Sequence, residues 1–166
     1  MMYLETDRLR IRDFKLSDID DLYEIFSDEE VMEYIEPVYD RDKTFNFLKD
    51  FCIGHKGAFA CVNKENEKVI GYIIFNEYED KVYELGWIFN KEYWGKGYAY
   101  ESCDAVIKYA FSEMKIHKIF AETIDNIKSV NLIKKLGMQL EGIQKSHTTD
   151  NHGNWKDVYL YGLLEK

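Results

Sequence analysis

The stretch Trp94-Gly95-Lys96-Gly97-Tyr98-Ala99-Tyr100 lies between a β-rich run, Val82–Phe89, and a helical pattern from about Tyr98 to Met114. A strand, a glycine turn and a helix start together make an anion site. Glycine lets backbone approach a ligand closely, and the first N–H groups of a helix have no partner inside it. The chemistry expected is phosphate binding. A P-loop would need G-x-x-x-x-G-K-[ST], and only Gly-Lys-Gly-Tyr is present. A Rossmann fingerprint would need G-x-G-x-x-G. Gly95 and Gly97 fit it, but Tyr100 stands where the third glycine belongs, and Glu122 lies at about the spacing of a ribose-binding acid.

Other reactive residues are scattered. His147 and His152 lack a third ligand at a recognised spacing, and His55 and His117 are isolated, so no metal site is expected. Cys52, Cys61 and Cys103 show no C-x-x-C spacing. They read as small buried hydrophobes in a reducing cytosol, which predicts a cytoplasmic protein.

The 166 residues suit one domain spanning 1–166. A net charge of −9 argues against nucleic acid as a partner and requires any phosphate site to be local. The same acidity suits a cationic amine, although solubility alone explains much of it. No apolar run approaches the ~20 residues of a membrane span, and the polar start Met1–Asp7 does not read as a signal peptide.

Several elements must position the loop. Leu9–Arg12 alternates as a strand. Ser17 reads as the N-cap of a helix burying Ile19, Leu22, Tyr23 and Phe26. An acidic segment, Asp28–Glu36, ends at Pro37, the only proline. A second helix is expected over Thr44–Ile53, burying Phe45, Leu48, Phe51 and Cys52 and stopping at Gly54. Strands Ala58–Asn63, Val69–Phe75 and Val82–Phe89 follow as a meander. After the loop helix come a strand, Lys118–Thr123, and a helix opening at Asp125-Asn126 and stopping at Gly137. Two strands, about Gln139–Thr148 and Lys156–Leu164, flank a polar turn. The order β-α-α-β-β-β-α-β-α-β-β makes Val82–Phe89 and Lys118–Thr123 parallel, and most other neighbours antiparallel. A doubly wound fold would alternate strand and helix throughout.

This order and these residues resemble the GNAT N-acetyltransferases. Trp94–Ala99 falls on that family's [Q/R]-x-x-G-x-[G/A] loop, with Trp94 in place of the common Gln or Arg. Leu4–Arg12, Glu84–Phe89, Asn126-Ile127-Lys128-Ser129, Lys135-Leu136-Gly137-Met138 and Glu141-Gly142 resemble the RimJ/RimL-like branch. The resemblance implies an α+β fold: a mixed, mostly antiparallel sheet flanked by helices, with splayed parallel strands holding acetyl-coenzyme A. It implies that backbone of Trp87, Ile88 and Phe89 pairs with the pantetheine arm, a form of strand augmentation. The pyrophosphate would sit on Gly95, Lys96, Gly97, Tyr98, Ala99 and Tyr100, beside Trp94. Asn126 would bond the pantetheine or serve as an N-cap. Lys134 and Lys135 would approach the adenosine phosphates or complement the helix dipole.

Amine acetylation needs a neutral nitrogen, and an amine with a pKa near ~10.4 is mostly protonated at neutral pH. Glu84, where this branch commonly places an acid, is the expected general base, through a water. It shares a strand face with Gly86 and Ile88. Glu101 is the second candidate. Where many relatives carry a tyrosine that protonates the leaving thiolate, this chain has Ile133, and Ser129 is the nearby hydroxyl. The resemblance thus implies an acetyltransferase acting on a primary amine of a protein N-terminus or a small molecule, as a monomer or homodimer. The alternatives are a non-catalytic acyl-coenzyme A-binding module and a Rossmann-type oxidoreductase.

Overall fold

A computed structural model describes residues 2–125 and 127–165. Among them, eight strands form one sheet in the order β1-β2-β3-β4-β5-β6-β8-β7. The strands are β1 (Tyr3–Glu5), β2 (Leu9–Asp13), β3 (Ala58–Asn63), β4 (Val69–Glu79), β5 (Val82–Phe89), β6 (Lys118–Thr123), β7 (Gln139–Thr149) and β8 (Trp155–Leu164). Only β5 and β6 pair in parallel; every other neighbouring pair among the described residues is antiparallel. This is the expected α+β arrangement. It excludes the doubly wound dinucleotide fold, which would need several parallel neighbours fed by helices.

Alternation along the strands sends side chains to two opposite cores. Leu85 and Phe89 of β5, with Ile73 of β4 and Ile119 of β6, pack under helix α4 (Tyr98–Ser112), which contributes Cys103, Val106 and Ala110. Helix α5 (Lys128–Lys135) adds Val130 and Ile133 to that side. The other face carries Ala60, Val62 and Tyr72 against helix α1 (Ile19–Phe26), the short α2 (Glu29–Met32) and α3 (Arg41–Phe47).

Three local expectations need correction. Ser17 caps nothing. It lies inside a 3₁₀ turn, Leu16–Asp18, where the buried Asp18 accepts from the Lys15 N–H at 2.8 Å and pairs with both terminal nitrogens of Arg12. The helix expected from Thr44 begins at Arg41, because Asp40 accepts from the Lys43 N–H at 2.7 Å. It then widens into a π-helical turn, Leu48–Gly54, and Phe45, in the α-helical part before that turn, is 41% exposed. Strand β1 has no readable period of its own; β2 recruits it through Leu4–Ile11 pairing. Asp125 caps the start of α5, accepting from the N–H groups of Ile127, Lys128 and Ser129.

Candidate active site

The parallel pair that could hold a ligand separates early. Strands β5 and β6 pair only at Val82–Lys118, Tyr83–Ile119 and Glu84–Phe120. Beyond Glu84, β5 stays paired with β4 as far as Phe89, and β6 stays paired with β8 as far as Thr123. A wedge therefore opens between them. Its closed end is at Glu84.

Backbone alternation decides which groups face the wedge. The Asn90 N–H donates to the Ile70 carbonyl at 2.9 Å, and β4–β5 register runs unbroken from there through Ile88–Tyr72 and Gly86–Ile74. Hydrogen-bonded pairs in an antiparallel ladder recur at every second residue. Even-numbered residues of β5 thus bond to β4, and the backbone groups of Leu85, Trp87 and Phe89 point into the wedge. Ile88 is turned away from it. The Phe89 carbonyl is already occupied, accepting from the Trp94 indole N–H at 2.8 Å. Trp87, with both its backbone groups, and the Phe89 N–H form the edge on which an amide-bearing chain could add as a strand.

At the wedge's open end the chain turns through Gly95 and Gly97, with φ of 70° and 83°. Both are left-handed, a region that side chains other than glycine occupy only with strain. Gly97 is the N-cap of α4 and supplies no side chain, so no side-chain cap covers the N–H groups of the first turn, Tyr98, Ala99 and Tyr100. Uncapped donors and a helix dipole make an anion cradle.

The cradle is fixed from behind. Glu101 accepts from the Thr6 hydroxyl at 2.5 Å, the Arg8 N–H at 3.0 Å and Arg8 Nε at 2.7 Å. Arg8 Nη1 donates to the Lys96 carbonyl at 2.9 Å, and its guanidinium lies 4.2 Å from the Tyr98 ring centre. Burial works against ionisation of Glu101, but the bonds from Thr6 and Arg8 outweigh it and hold the carboxyl below its ordinary range. A carboxylate so held is a poor base. The Lys96 ammonium folds back onto the Glu92 carbonyl at 3.0 Å. Across the wedge, the Lys128 ammonium lies 4.9 Å from the Trp94 ring, and Lys135 sits 4.3 Å from the Tyr100 ring.

Glu84 sits differently. It is half-buried, and burial first, then the charge of Glu122, push its carboxyl above the ordinary range. Glu84 and Phe120 stand opposite in register, and Glu122 follows two residues on, so Glu122 shares that face just past the wedge's closed end. Ser129, on α5, donates its hydroxyl to Asp125 at 3.3 Å. Asn126 lies outside the described residues. Burial pushes the thiols of Cys52 and Cys61 up to about 12 and raises Cys103 as well, which leaves them inert core.

Sequence reasoning missed how the β7–β8 turn closes onto the first helices. Asp150 accepts from the N–H groups of His152 and Asn154, both at 2.9 Å, and these bonds hold its carboxyl down at about 2. The turn so built aims Asn151 at the first helices, where its amide donates to the carbonyls of Met32 at 2.9 Å and Glu36 at 3.1 Å. An Asp-Asn-His-Gly-Asn turn signals a loop, but not its target.

The family model for the acetyltransferase (GNAT) domain matches residues 8–139. The chain belongs to the GNAT acetyltransferase family. It is 36% identical over 168 residues to the uncharacterised N-acetyltransferase YnaD of Bacillus subtilis, covering 99% of this chain and 98% of the relative. It is 28% identical over 109 residues to the ribosomal-protein uS5 alanine N-acetyltransferase of Escherichia coli, covering 63% of this chain and 56% of that protein. The crystal structure of a GNAT-family acetyltransferase from Bacillus anthracis superposes with a TM-score of 0.90 at 34% identity, covering 98% of each chain. This GNAT enzyme is an N-acetyltransferase of the RimJ/RimL-like kind. Among its described residues no helix is long and apolar enough to cross a membrane, and no group of three or more His, Cys, Asp or Glu is placed to hold a metal.

Proposed function

We propose that the wedge holds acetyl-coenzyme A and that Glu84 takes the proton as an amine is acetylated. The observation that carries this is the end of β5–β6 pairing at Glu84, which leaves a raised carboxylate at one end of a free strand edge and an uncapped helix start at the other. The residues present fit the cofactor. Trp87 and the Phe89 N–H offer amide partners, and the N–H groups of Tyr98, Ala99 and Tyr100 offer a pyrophosphate cradle.

Acetyl-coenzyme A supplies the acetyl group as a thioester. The amine nitrogen forms a bond to the carbonyl carbon, the C–S bond breaks, and coenzyme A leaves as a thiolate. Glu84 receives the nitrogen's proton through a water lodged beside Gly86. A carboxyl raised toward the working pH is better matched to this transfer than an ordinary glutamate. Glu101 is set aside as base because Arg8 and Thr6 hold it ionised and engaged behind the loop. Ser129, bonded to Asp125, would have to release that bond before meeting a thiolate, so we assign it no proton-transfer step. The thiolate is a stable leaving group on its own.

The acceptor enters from the face formed by α1, α2 and the β7–β8 turn. A screen of primary amines by mass spectrometry, with acetyl-coenzyme A as donor, tests this function. Acetylated product with wild type and its loss in Glu84→Gln is expected. Product formation at an undiminished rate in Glu84→Gln would remove Glu84 from the chemistry.

A further inference from the structure

Beside Gly86 the face of β5 that carries Glu84 runs into an apolar cavity of about 180 Å³. Its floor is Ile74 and Ile88, and a Cβ built on Gly86 would meet Ile74 at 3.4 Å, so floor and Gly86 are continuous. Its walls are rings. Phe26 packs edge-on against Tyr39, Phe47 and Tyr72, with ring centres 5.2 to 5.5 Å apart. The one carboxylate on the wall, Glu36, already accepts from the Tyr39 hydroxyl at 2.7 Å and has the Lys43 ammonium at 3.6 Å. Desolvation is the leading cause raising the hydroxyls of both Tyr39 and Tyr72, as a dry, apolar setting requires.

From this geometry we infer that the acceptor is a small primary amine carrying an aromatic ring about two carbons from its nitrogen. The inference rests on the acetyltransferase reading above. Two residues along a strand span about 7 Å. An amine whose nitrogen meets the water at Glu84 therefore has about 7 Å to cross, past Gly86 to the floor at Ile74 opposite it, a distance that a two-carbon spacer and the ring it carries cover together. The body that follows meets rings and aliphatic side chains. A second ammonium there would lose its water and find Glu36 already paired, which disfavours a polyamine. Edge-on rings instead complement another ring. Tyr72 links the two parts of the site, since the charges of both Glu84 and Glu36 act on its hydroxyl.

The test compares kcat/KM for 2-phenylethylamine, spermidine, and two short peptides beginning with alanine or phenylalanine. The proposal requires 2-phenylethylamine to exceed spermidine and the alanine peptide by about tenfold or more, the lower range of what apolar pocket contacts discriminate. It also requires 2-phenylethanol, which lacks the amine, to compete with 2-phenylethylamine. Ile35→Trp, at an exposed position on the cavity wall, should raise KM for 2-phenylethylamine about tenfold and leave the Kd for coenzyme A unchanged. Preference for spermidine or the alanine peptide overturns the inference and leaves the acetyltransferase reading standing. Preference for the phenylalanine peptide over the free amine overturns the small-molecule assignment. Coenzyme A binding with no amine acetylated overturns both.

Discussion

The proposed cofactor side and the proposed acceptor side of the wedge are held in place by different forces. The loop Gly95–Tyr100 is tied by directional polar bonds: Arg8 to Glu101 and to the Lys96 carbonyl, and Thr6 to Glu101. The proposed acceptor cavity is shaped by rings that pack without directional bonds, beside the carbonyls of Met32 and Glu36 that Asn151 ties down. Hydrogen bonds to charged groups fix atoms to tenths of an ångström, as a pyrophosphate cradle needs. Ring packing fixes volume and apolarity but allows many side-chain choices. The cofactor side should therefore tolerate few substitutions and set affinity for one molecule. The acceptor side should tolerate many and set selectivity.

Glu84 lies where the two sides meet, and its removal should have the largest effect. Glu84→Gln is expected to lower kcat by roughly the 10²–10⁴-fold of lost general-base catalysis, with the Kd for acetyl-coenzyme A nearly unchanged. Stability should move the other way. A glutamate whose folded-state pKa is raised is neutral in both states below its unfolded value, about 4.3, and is penalised in the fold as pH rises through its folded value. The melting temperature of Glu84→Gln should match wild type near pH 4 and exceed it at neutral pH. A mutant less stable than wild type at pH 7 would show that the carboxylate is stabilised rather than strained by its site.

Breaking the polar ties should be felt on one side only. Arg8→Ala removes the bond to the Lys96 carbonyl and the guanidinium over Tyr98, while Glu101 keeps Thr6 and a backbone N–H. The Kd for coenzyme A should rise by about tenfold, about 1.4 kcal/mol, with KM for the acceptor unchanged. Isothermal titration separates the two. A matching rise in acceptor KM would mean that the loop and the cavity are not mechanically separate.

Much of this contrast was legible in the sequence, and the remainder was not for a physical reason. The glycine loop and the parallel pair follow from local signals: Gly95 and Gly97 for left-handed turns, and a helix of fitting length returning the chain to β6. The raised carboxyl of Glu84 was not legible, because its burial first, and then the approach of Glu122, arise only when β5 and β6 come into register. Nor was the tie from Glu101 to Arg8, 93 residues away. The buried face of the second helix was hidden because apolar spacing assumes an α-helical period, whereas Thr44, Leu48 and Cys52 are buried at four-residue spacing into the π-helical turn at Leu48–Gly54, which leaves Phe45 off that face.

The pairing of Glu84 with Glu122 gives a smaller, sharper test. If their repulsion adds to burial in raising Glu84, the low-pH limb of kcat/KM should lie above an ordinary glutamate's and move down in Glu122→Gln. The sign follows from charge alone, because removing a nearby anion makes the anionic form of Glu84 easier to reach. A limb that stays put would leave burial as the whole cause.

Salt should have the smallest effect, and it separates steering from fit. The acidic segment Asp28–Glu36 suggests long-range attraction for a cationic amine. The structure shows that much of its charge is already paired. Asp28 holds Lys91 at 2.8 Å and accepts from the N–H groups of Glu30 and Val31, and Glu36 has Lys43 and Tyr39. What is left to attract an ammonium is chiefly Glu29, Glu33 and Glu122. Screening grows once the Debye length falls to about 10 Å at 0.1 M salt. For an amine bearing one charge, kcat/KM should therefore fall only about two- to threefold between low and physiological salt, well short of the larger losses typical of strongly steered partners. A spermidine-like acceptor with several charges should fall more steeply but from a lower starting value, because its extra ammoniums gain at these carboxylates and lose in the ring-lined cavity. If the multiply charged amine is the better acceptor at every salt concentration, charge rather than ring packing selects the acceptor, and the contrast between the two sides fails.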